Sequence, residues 1–257
     1  MTHIVVKANV DQAVVQFHSD GFAIIRKVFS NAEVTEILRE IERVAEESGP
    51  SLPAGRIYYE DRAGRTLKAL HTPELESPWL ARLQHDQRLI GIVQAIFPDG
   101  EVIPTGTAFF AKLAGSGSET PPHQDNVFQY YNPPLALTLT IALDSSDESN
   151  GVLICRKGSH KPGVLPHAAS HVLGFSQVLA ELPPIDKYPE ATLMMQPGDI
   201  SLHHINTVHY SHSNGSTRHR RQYGIGYRSS LAIRDEEAYK AYLHTLDKLH
   251  EDSSRRI

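Results

Sequence analysis

The sequence predicts a mainly β fold with flanking helices (α+β), in which a β sandwich packs one of its sheets against helices. Two features predict it. From about residue 102, short β-rich runs alternate with turn signals such as those at 149–151 and 197–199. Before that point, apolar residues recur at helical spacing. Because we find no internal repeat and no low-complexity linker, we expect one domain over residues 1–257.

The first part of the chain, about residues 1–100, is predicted to be mostly helical. Its helices begin at capping signals, of which the capping box of Ser30 and Glu33 is the clearest. The predicted elements are a helix at about 11–18, a strand at 22–28, and helices that begin after Ser30, Ser77 and Asp86.

The second part, about residues 101–230, is predicted to hold the β core, and a helix at about 235–250 follows it. The β-rich runs lie at 105–113, 137–143, 151–156, 192–196, 200–204 and 222–228. The helix is predicted from its acidic start and from side chains that share one side, namely Tyr239, Tyr242, Leu243, Leu246 and Leu249.

The composition of the chain reduces the range of possible partners and locations. The formal charge of −5 on 257 residues does not favour nucleic acid as a partner. No stretch approaches a membrane-spanning length, and no signal peptide is visible. The single cysteine, Cys155, can form no internal disulfide, so a reducing compartment and a cytoplasmic location are expected. The oligomeric state stays open.

A metal site is predicted around His123 and Asp125. In a strand, residues two apart point to the same face, so both side chains can bind one ion. The chain contains two other His-x-acid matches, at 18–20 and 250–252. The second of these lies in a predicted helix, where residues two apart do not share a face. Only His123 and Asp125 lie in the β region.

The third ligand is expected from the segment 197–209, which contains three histidines. His209 is the preferred candidate and His204 is its best rival, whereas His203 is interpreted as structural or as a supporting residue. Arg220 follows eleven residues after His209. Two histidines and one carboxylate leave open positions that suit iron(II). An arginine fork matches a carboxylate, so the set also suggests 2-oxoglutarate as co-substrate.

Several motifs recur in one order along the chain. They are 123–125, 141–144, 150–153, 158–161, 197–199, His209, Asn214 and Arg220. In these motifs the sequence resembles the phytanoyl-CoA dioxygenase family of iron/2-oxoglutarate oxygenases, most closely over about 100–228. The resemblance implies a double-stranded β-helix (jelly-roll) core with the metal in the barrel mouth, and O2 as the second co-substrate.

The resemblance also implies roles for individual residues. Arg220 is expected to bind the distal carboxylate of 2-oxoglutarate, with Ser211 assisting. Thr140 falls at a position that lines the co-substrate pocket. Lys112 is expected to contact co-substrate or substrate, although an ordinary strand role is the alternative for both. Because Asp125 is retained, hydroxylation is favoured over halogenation.

The substrate is less well defined by the sequence. Candidate substrate residues are Arg56, Tyr59, Lys68, Asn126 and Tyr130. Tyrosine and cationic side chains together suit a small charged or zwitterionic metabolite, such as an organophosphonate or an amino-acid-like compound. An exposed basic loop is the alternative interpretation, and no acyl-CoA site is visible.

The expected reaction is hydroxylation of a substrate C–H bond with release of succinate and CO2. Two alternatives remain open at this stage. One is a jelly-roll protein that binds metal and ligand without turnover. The other is a cupin-like enzyme that uses zinc or manganese and no keto acid, in which case Arg220 has no assigned task.

Overall fold

The helices lie mainly in the first hundred residues. The computed structural model describes residues 2–53, 55–61, 66–172 and 175–244. Its α-helices are α1 (Thr2–Asp20), α2 (Asn31–Glu47), α3 (Pro78–Leu83), α4 (Gln87–Gln94), α5 (Asn126–Gln129) and α6 (236–244). Short 3₁₀ turns lie at Gly49–Ser51, Pro73–Leu75 and Glu148–Asn150.

The strands are distributed over almost the whole described chain. They are β1 (Phe22–Ile25), β2 (Ile57–Tyr59), β3 (Leu67–His71), β4 (Ile103–Lys112), β5 (Thr120–His123), β6 (Tyr131–Asn132), β7 (Ala136–Ala142), β8 (Ile154–Arg156), β9 (His167–Val172), β10 (Phe175–Leu179), β11 (Glu190–Thr192), β12 (Ile200–His204), β13 (His209–Ser211), β14 (Arg220–Arg228) and β15 (Ile233–Arg234).

Two antiparallel sheets form the core. The major sheet has the order β1-β12-β7-β14-β4-β3-β2, and the minor sheet has the order β11-β8-β13-β5. Their inner faces meet where Phe22 of β1 packs against Leu153, Cys155 and Leu193. This arrangement is the predicted jelly roll, in which two sheets enclose a central space.

The outer face of the major sheet packs against helices. Leu139, Ile141 and Ile225 alternate along β7 and β14 and belong to the same core cluster as Ile37 and Ile41 of α2. Burying each such side chain contributes about 1.5–3 kcal/mol relative to leaving it exposed. The capping box that begins α2 is present as predicted, because the Ser30 side chain accepts from the Glu33 N–H and Glu33 reaches back.

The inner face of the major sheet is polar. Its rows of side chains include Thr138, Thr140, His203, Gln222 and Lys112, all but Thr138 buried. One aromatic residue on this face, Phe110, stays 37% exposed although its strand is flanked on both sides. The space between the sheets therefore opens to solvent beside a polar wall, which is the usual setting of a ligand site.

The N-terminal part differs from its prediction in its strand content. The helices after Ser30, Ser77 and Asp86 are confirmed, but β2 and β3 were not predicted, and they extend the major sheet. The predicted strand at 22–28 ends at Ile25, because the chain turns at Lys27 (φ 57°). The turn lets the N–H groups at 28 and 29 donate to the Gly198 carbonyl.

The β core follows its prediction more closely. The run at 200–204 is a strand with the predicted bounds, whereas of the run at 192–196 only Thr192 is in a strand. Gly198 has φ 86°, and a Cβ there would overlap the carbonyl oxygen of Phe29, which explains the glycine of this turn. The predicted C-terminal helix is present at 236–244, while Leu246 and Leu249 lie outside the described residues.

Within the part of the chain that the structure describes, no helix combines the length and the apolar character needed to cross a membrane.

Candidate active site

Three side chains meet at the mouth of the barrel. His123 ends β5 and His209 begins β13, and the two are direct partners in the minor sheet. Asp125 lies beyond the end of β5, where it precedes α5. Its Oδ1 atom is 3.6 Å from Nε2 of His123 and 3.5 Å from Nε2 of His209. Among the described residues this is the one group of His, Cys, Asp and Glu whose ligand atoms all lie within 4.8 Å.

One detail of the prediction for this site was wrong. His123 and Asp125 do not share a strand face, because β5 ends at His123 and Asp125 has the helical values φ −61° and ψ −28°. The turn into α5 brings its carboxylate back toward the two imidazoles. The predicted three residues therefore meet, although by a turn rather than by strand alternation.

The hydrogen bonds of the two histidines leave the correct nitrogen free for a metal. Nδ1 of His123 is 2.8 Å from the Pro121 carbonyl oxygen, and Nδ1 of His209 is 2.9 Å from that of Thr207. A carbonyl oxygen only accepts, so each Nδ1 carries the proton and each Nε2 keeps its lone pair. Burial, together with His123 and His203 nearby, holds the pKa of His209 well below its usual range, which keeps it neutral.

The second oxygen of Asp125 is bound by protein groups. The Thr138 hydroxyl donates to Oδ2 over 2.7 Å, and Nε2 of His203 lies 3.0 Å from the same atom. Desolvation by itself would raise the pKa of Asp125, but that pKa lies well below its usual range, and the hydrogen bond from His203 is one of the interactions that lower it. Oδ1 is therefore an ionised oxygen directed at the two Nε2 atoms, and this donor set fits iron(II).

His204, the rival third ligand, is not part of this group. It is next to His203 in β12, so its side chain lies on the other face of the sheet. There its ring packs near Phe17 and His160, and its Nδ1 accepts from the Asn206 N–H over 3.0 Å. The choice of His209 over His204 is consistent with this geometry.

Arg220 provides a buried positive charge that contacts Ser211, which lies in the same strand as His209. It opens β14 and is 4% exposed. Its guanidinium donates to the Gly151 carbonyl through Nε (2.9 Å) and Nη2 (2.6 Å), to Oγ of Ser211 (3.1 Å) and to Oε1 of Gln222 (2.7 Å). No carboxylate of the described residues forms a salt bridge with it, and burial lowers its pKa to about 10. A buried cation of this kind fits an anionic ligand.

Gln222 is a residue that the sequence analysis missed. Its side chain is buried, its Oε1 accepts from Arg220, and its Nε2 has no hydrogen-bond partner in the described structure. Gln222 and Arg220 are two apart in β14 and therefore share the inner face. That spacing was the available signal. Nε2 of Gln222 is a buried donor without a partner in the described structure, and Arg220 beside it is a buried cation without a carboxylate partner there. The two side chains together therefore support a ligand that accepts hydrogen bonds from both.

Lys112 lies beside Arg220 in the sheet register. Its Nζ donates to the carbonyl oxygens of Ser118 (2.5 Å), His212 (2.8 Å) and Ser211 (3.4 Å). Burial, together with the positive charges of Arg220 and Lys68, lowers its pKa to about 7. Thr140, two strands away, is also buried on this inner face. The wall behind the metal group is thus polar and electropositive.

Comparison with known proteins agrees with this geometry. The family model described as phytanoyl-CoA dioxygenase matches residues 17–222. The chain belongs to the phytanoyl-CoA dioxygenase family.

Relatives and solved structures extend the comparison. A probable alpha-ketoglutarate-dependent hypophosphite dioxygenase of Stutzerimonas stutzeri is 28% identical over 228 residues, which cover 84% of this chain and 78% of that protein. The structure of the epimerase SnoN with Fe3+, alpha ketoglutarate and nogalamycin RO has a TM-score of 0.70 at 20% identity and covers 89% of this chain and 86% of that one. EvdO2 of Micromonospora carbonacea var. aurantiaca with 2-oxoglutarate has a TM-score of 0.69 at 21% identity, covering 87% and 91%.

These comparisons confirm the predictions at the level of class. The protein is a 2-oxoglutarate-dependent dioxygenase with a jelly-roll core, and iron and 2-oxoglutarate are its cofactor and co-substrate. The catalytic alternative without a keto acid and the non-catalytic binding protein are therefore not supported. The roles assigned to single residues remain predictions.

Two of the candidate substrate residues of this family member are held by protein groups. Arg56 forms a salt bridge with Glu76 at 2.9 Å and donates to the Thr72 carbonyl. Lys68 donates to Oγ of Ser118 over 2.7 Å and lies 4.0 Å from Glu60. Both side chains thus carry ion pairs in the structure, so a substrate anion would have to share them.

The remaining three candidates lie in β2 and around α5. Tyr59 follows a bulge in the pairing of β2 with β3. The Asn126 side chain exchanges hydrogen bonds with the backbone of Tyr131 and so holds the turn after α5. Tyr130 has φ 58° in that turn, and its ring lies 5.8 Å from the ring of Tyr242.

Two aromatic rings lie beside His123. Phe175 lies edge-on to the ring of His123 at 5.0 Å, and Phe128 lies 5.9 Å from it. Neither residue is among the predicted site residues, because Phe175 lies in β10 and Phe128 in the four-residue helix α5, and neither element was predicted. We call Phe128, Tyr130, Phe175 and Tyr242 the aromatic entrance. Such rings exclude water around a reacting centre while leaving room for a substrate.

Proposed function

We propose that this dioxygenase hydroxylates a C–H bond of a small, charged metabolite, with release of succinate and CO2. The observation that carries the proposal is the pairing of a His-Asp-His group with a buried Arg220 that has no carboxylate partner among the described residues. One group fits iron and the other fits the distal carboxylate of 2-oxoglutarate. The relative named as a hypophosphite dioxygenase supports a small oxyanion, such as an organophosphonate. An amino-acid-like compound is equally compatible with the site.

Each residue has a distinct task in this proposal. His123, Asp125 and His209 hold iron, which together with 2-oxoglutarate and O2 supplies the oxidation of the C–H bond. Arg220 and Ser211 bind the distal carboxylate of the co-substrate. Three further residues, Thr140, Lys112 and Gln222, complete that pocket. These side chains hold the co-substrate on the inner face of the major sheet. The remaining side of the metal is then free for the substrate.

The substrate is proposed to enter from the side of the aromatic entrance. Phe128 and Phe175 contact His123, so they exclude water close to the metal. Arg56, Tyr59, Lys68, Asn126 and Tyr130 remain the proposed substrate residues, and Lys68 reaches an anion only by sharing its Glu60 partner. We also propose a cytoplasmic location, because Cys155 is a free, buried thiol.

The test is succinate formation by anaerobically purified protein after addition of iron(II), 2-oxoglutarate and O2. A panel of phosphonates, amino acids and other small acids is added one at a time. We expect succinate to rise strongly with one compound and a hydroxylated product to form in equal amount. Succinate that no member of the panel stimulates, in protein shown to hold iron, would contradict the proposed substrate class.

A further inference from the structure

The C-terminal helix α6 reaches the aromatic entrance. Its first turn is capped by Asp235, whose side chain accepts from the Ala238 N–H over 3.0 Å. Arg234, just before it, donates to the side chains of Gln129 and Tyr131 and lies 4.2 Å from the ring of Tyr239. These contacts anchor α6 to the segment that follows the metal ligand Asp125.

Tyr242 is the residue of α6 that contacts the side chains around His123. Its ring lies 6.0 Å from Phe128 and 5.8 Å from Tyr130, and its hydroxyl is 3.0 Å from Oγ of Ser176. Ser176 is next to Phe175 in β10. Tyr242 therefore bridges α5 and β10, the two elements whose phenylalanines contact His123. It is the outer layer of the aromatic entrance.

A second group of aromatic rings lies on β2, β3 and β4. Tyr58 of β2 packs edge-on to His71 at 5.5 Å, and His71 packs edge-on to the exposed Phe110. Burial is the main reason that the pKa of Tyr242 is raised, and the phenols of Tyr130, Tyr239 and Tyr58 add to it.

We propose that Tyr242 is a specificity-determining residue whose ring narrows the opening above the metal and restricts the substrate to compact molecules. The proposal rests on the proposed function in assuming that the substrate enters here. α6 lies outside residues 17–222, so the family match does not assign this role. In the pair of Tyr242 and Ser176, the hydroxyl that accepts keeps its own proton. That proton is a donor for an oxyanion of the substrate.

The size of the opening is measurable without knowing the substrate. Two probes of the iron(II) protein are used under anaerobic conditions, the bulky chelator bathophenanthroline disulfonate and the small ligand nitric oxide. We expect Tyr242→Ala to speed iron capture by the chelator by about tenfold or more, while nitric oxide binding changes by less than about twofold. Tyr242→Phe keeps the ring and should match the wild-type protein with both probes.

Leu243→Ala is the control on the same helix, because Leu243 is exposed. It should change neither rate. The equilibrium affinity for iron(II) is measured for every variant. If Tyr242→Ala lowers that affinity in proportion to the faster capture, Tyr242 acts by positioning His123, and the proposal is overturned. Equal acceleration with Tyr242→Phe would overturn it too, because the ring would then not be the barrier.

A larger side chain gives an independent test if Tyr242→Ala does not fold. Tyr242→Trp should slow capture by the chelator and leave nitric oxide binding unchanged, and an unchanged or faster capture overturns the proposal. The outcome is separate from that of the proposed function. The ring of Tyr242 can restrict access by size even if no compound stimulates succinate formation. Conversely, a compound can stimulate succinate formation even if Tyr242 does not restrict access.

Discussion

Nε2 of His203 lies 3.0 Å from Oδ2 of Asp125, whereas the two predicted histidine ligands lie near Oδ1 of the same carboxylate. His203 differs from those two histidines in the hydrogen bonding of its second ring nitrogen, Nδ1. Their Nδ1 atoms bond to backbone carbonyls, whereas Nδ1 of His203 is buried with no hydrogen-bond partner in the described structure. The only described hydrogen bond of its side chain is therefore the one to the carboxylate of Asp125.

We expect His203→Phe to weaken iron(II) binding by about 10- to 100-fold, the usual cost of losing a group that orients a metal ligand. His203→Gln retains a donor and should recover most of the affinity. Thr138→Val, which removes the second donor to Oδ2, should have a similar effect, and Thr138→Ser should restore binding. Anaerobic metal titration gives the values. If His203→Phe and His203→Gln lose the same amount of iron(II) affinity, packing and not the hydrogen bond would account for the role of His203.

The assignment of the third ligand is tested by a matched pair of histidines. His209→Ala should abolish both iron binding and succinate formation, because two remaining ligands hold the ion poorly. His204→Ala removes a ring on the far side of the sheet and should leave the amount of bound iron unchanged. Metal content after gel filtration separates the two variants. Near-full activity of His209→Ala would show that the ligand assignment is wrong.

The three residues of the candidate metal group could be proposed from the sequence because each stands in a local motif. His123 and Asp125 are two apart, and His209 and Arg220 follow a recognisable Pro-Gly-Asp turn in order. The predicted strand alternation of the pair is wrong, since Asp125 lies in the turn into α5 and not in a strand. Two residues that are close in sequence stay close in space whichever backbone conformation joins them. His123 and Asp125 therefore lie near each other although the predicted conformation is wrong.

The supporting residues were not predictable in the same way. The bond between His203 and Asp125 joins residues 78 apart, and it depends on the register of β12 against β7. The strands β2 and β10 are short, and they become strands by pairing with β3 and β9. Tertiary pairing of this kind overrides local propensity. The aromatic entrance joins residues of α5, β10 and α6, so its membership could not be derived from sequence alone.

Replacing Arg220 by lysine should strongly weaken the binding of 2-oxoglutarate. Lysine keeps the charge but loses the planar fork that contacts Gly151, Ser211 and Gln222. We expect the dissociation constant of Arg220→Lys for 2-oxoglutarate to rise by about 10- to 100-fold. Arg221→Lys is the control, because Arg221 pairs with Asp144 at a partly exposed position. An effect of equal size in both variants, measured by anaerobic calorimetry, would count against the assignment of Arg220.

Gln222 offers a test of whether the co-substrate reaches its unpaired Nε2. Gln222→Leu removes one neutral donor and should weaken 2-oxoglutarate binding by about 2- to 10-fold. Gln222→Glu places a carboxylate next to Nη1 of Arg220, where Oε1 now lies at 2.7 Å, and should weaken it more. The new carboxylate neutralises the guanidinium and repels the incoming dianion. If Leu and Glu weaken binding equally, the contribution of Gln222 is not electrostatic.

Lys112 predicts a pH dependence of co-substrate binding. Its pKa of about 7 in the structure lies below the ordinary value because of burial and the charges of Arg220 and Lys68. A bound dianion beside Arg220 favours the protonated lysine, so binding takes up a proton where free Lys112 is neutral. The affinity for 2-oxoglutarate should therefore be highest below pH 7 and fall as the pH rises above it, by at most about tenfold per pH unit.

Lys112→Met should remove this dependence, because the substituted side chain does not titrate. Its affinity should be flat from pH 6 to pH 9 and should approach that of the wild-type protein at the high end. Calorimetry at pH 8 in two buffers of different ionisation enthalpy measures the proton directly, and we expect up to about one proton taken up by the wild type and none by Lys112→Met. Lys240→Met, at an exposed position of α6, should behave as the wild type. Proton uptake that persists in Lys112→Met would assign the titrating group elsewhere.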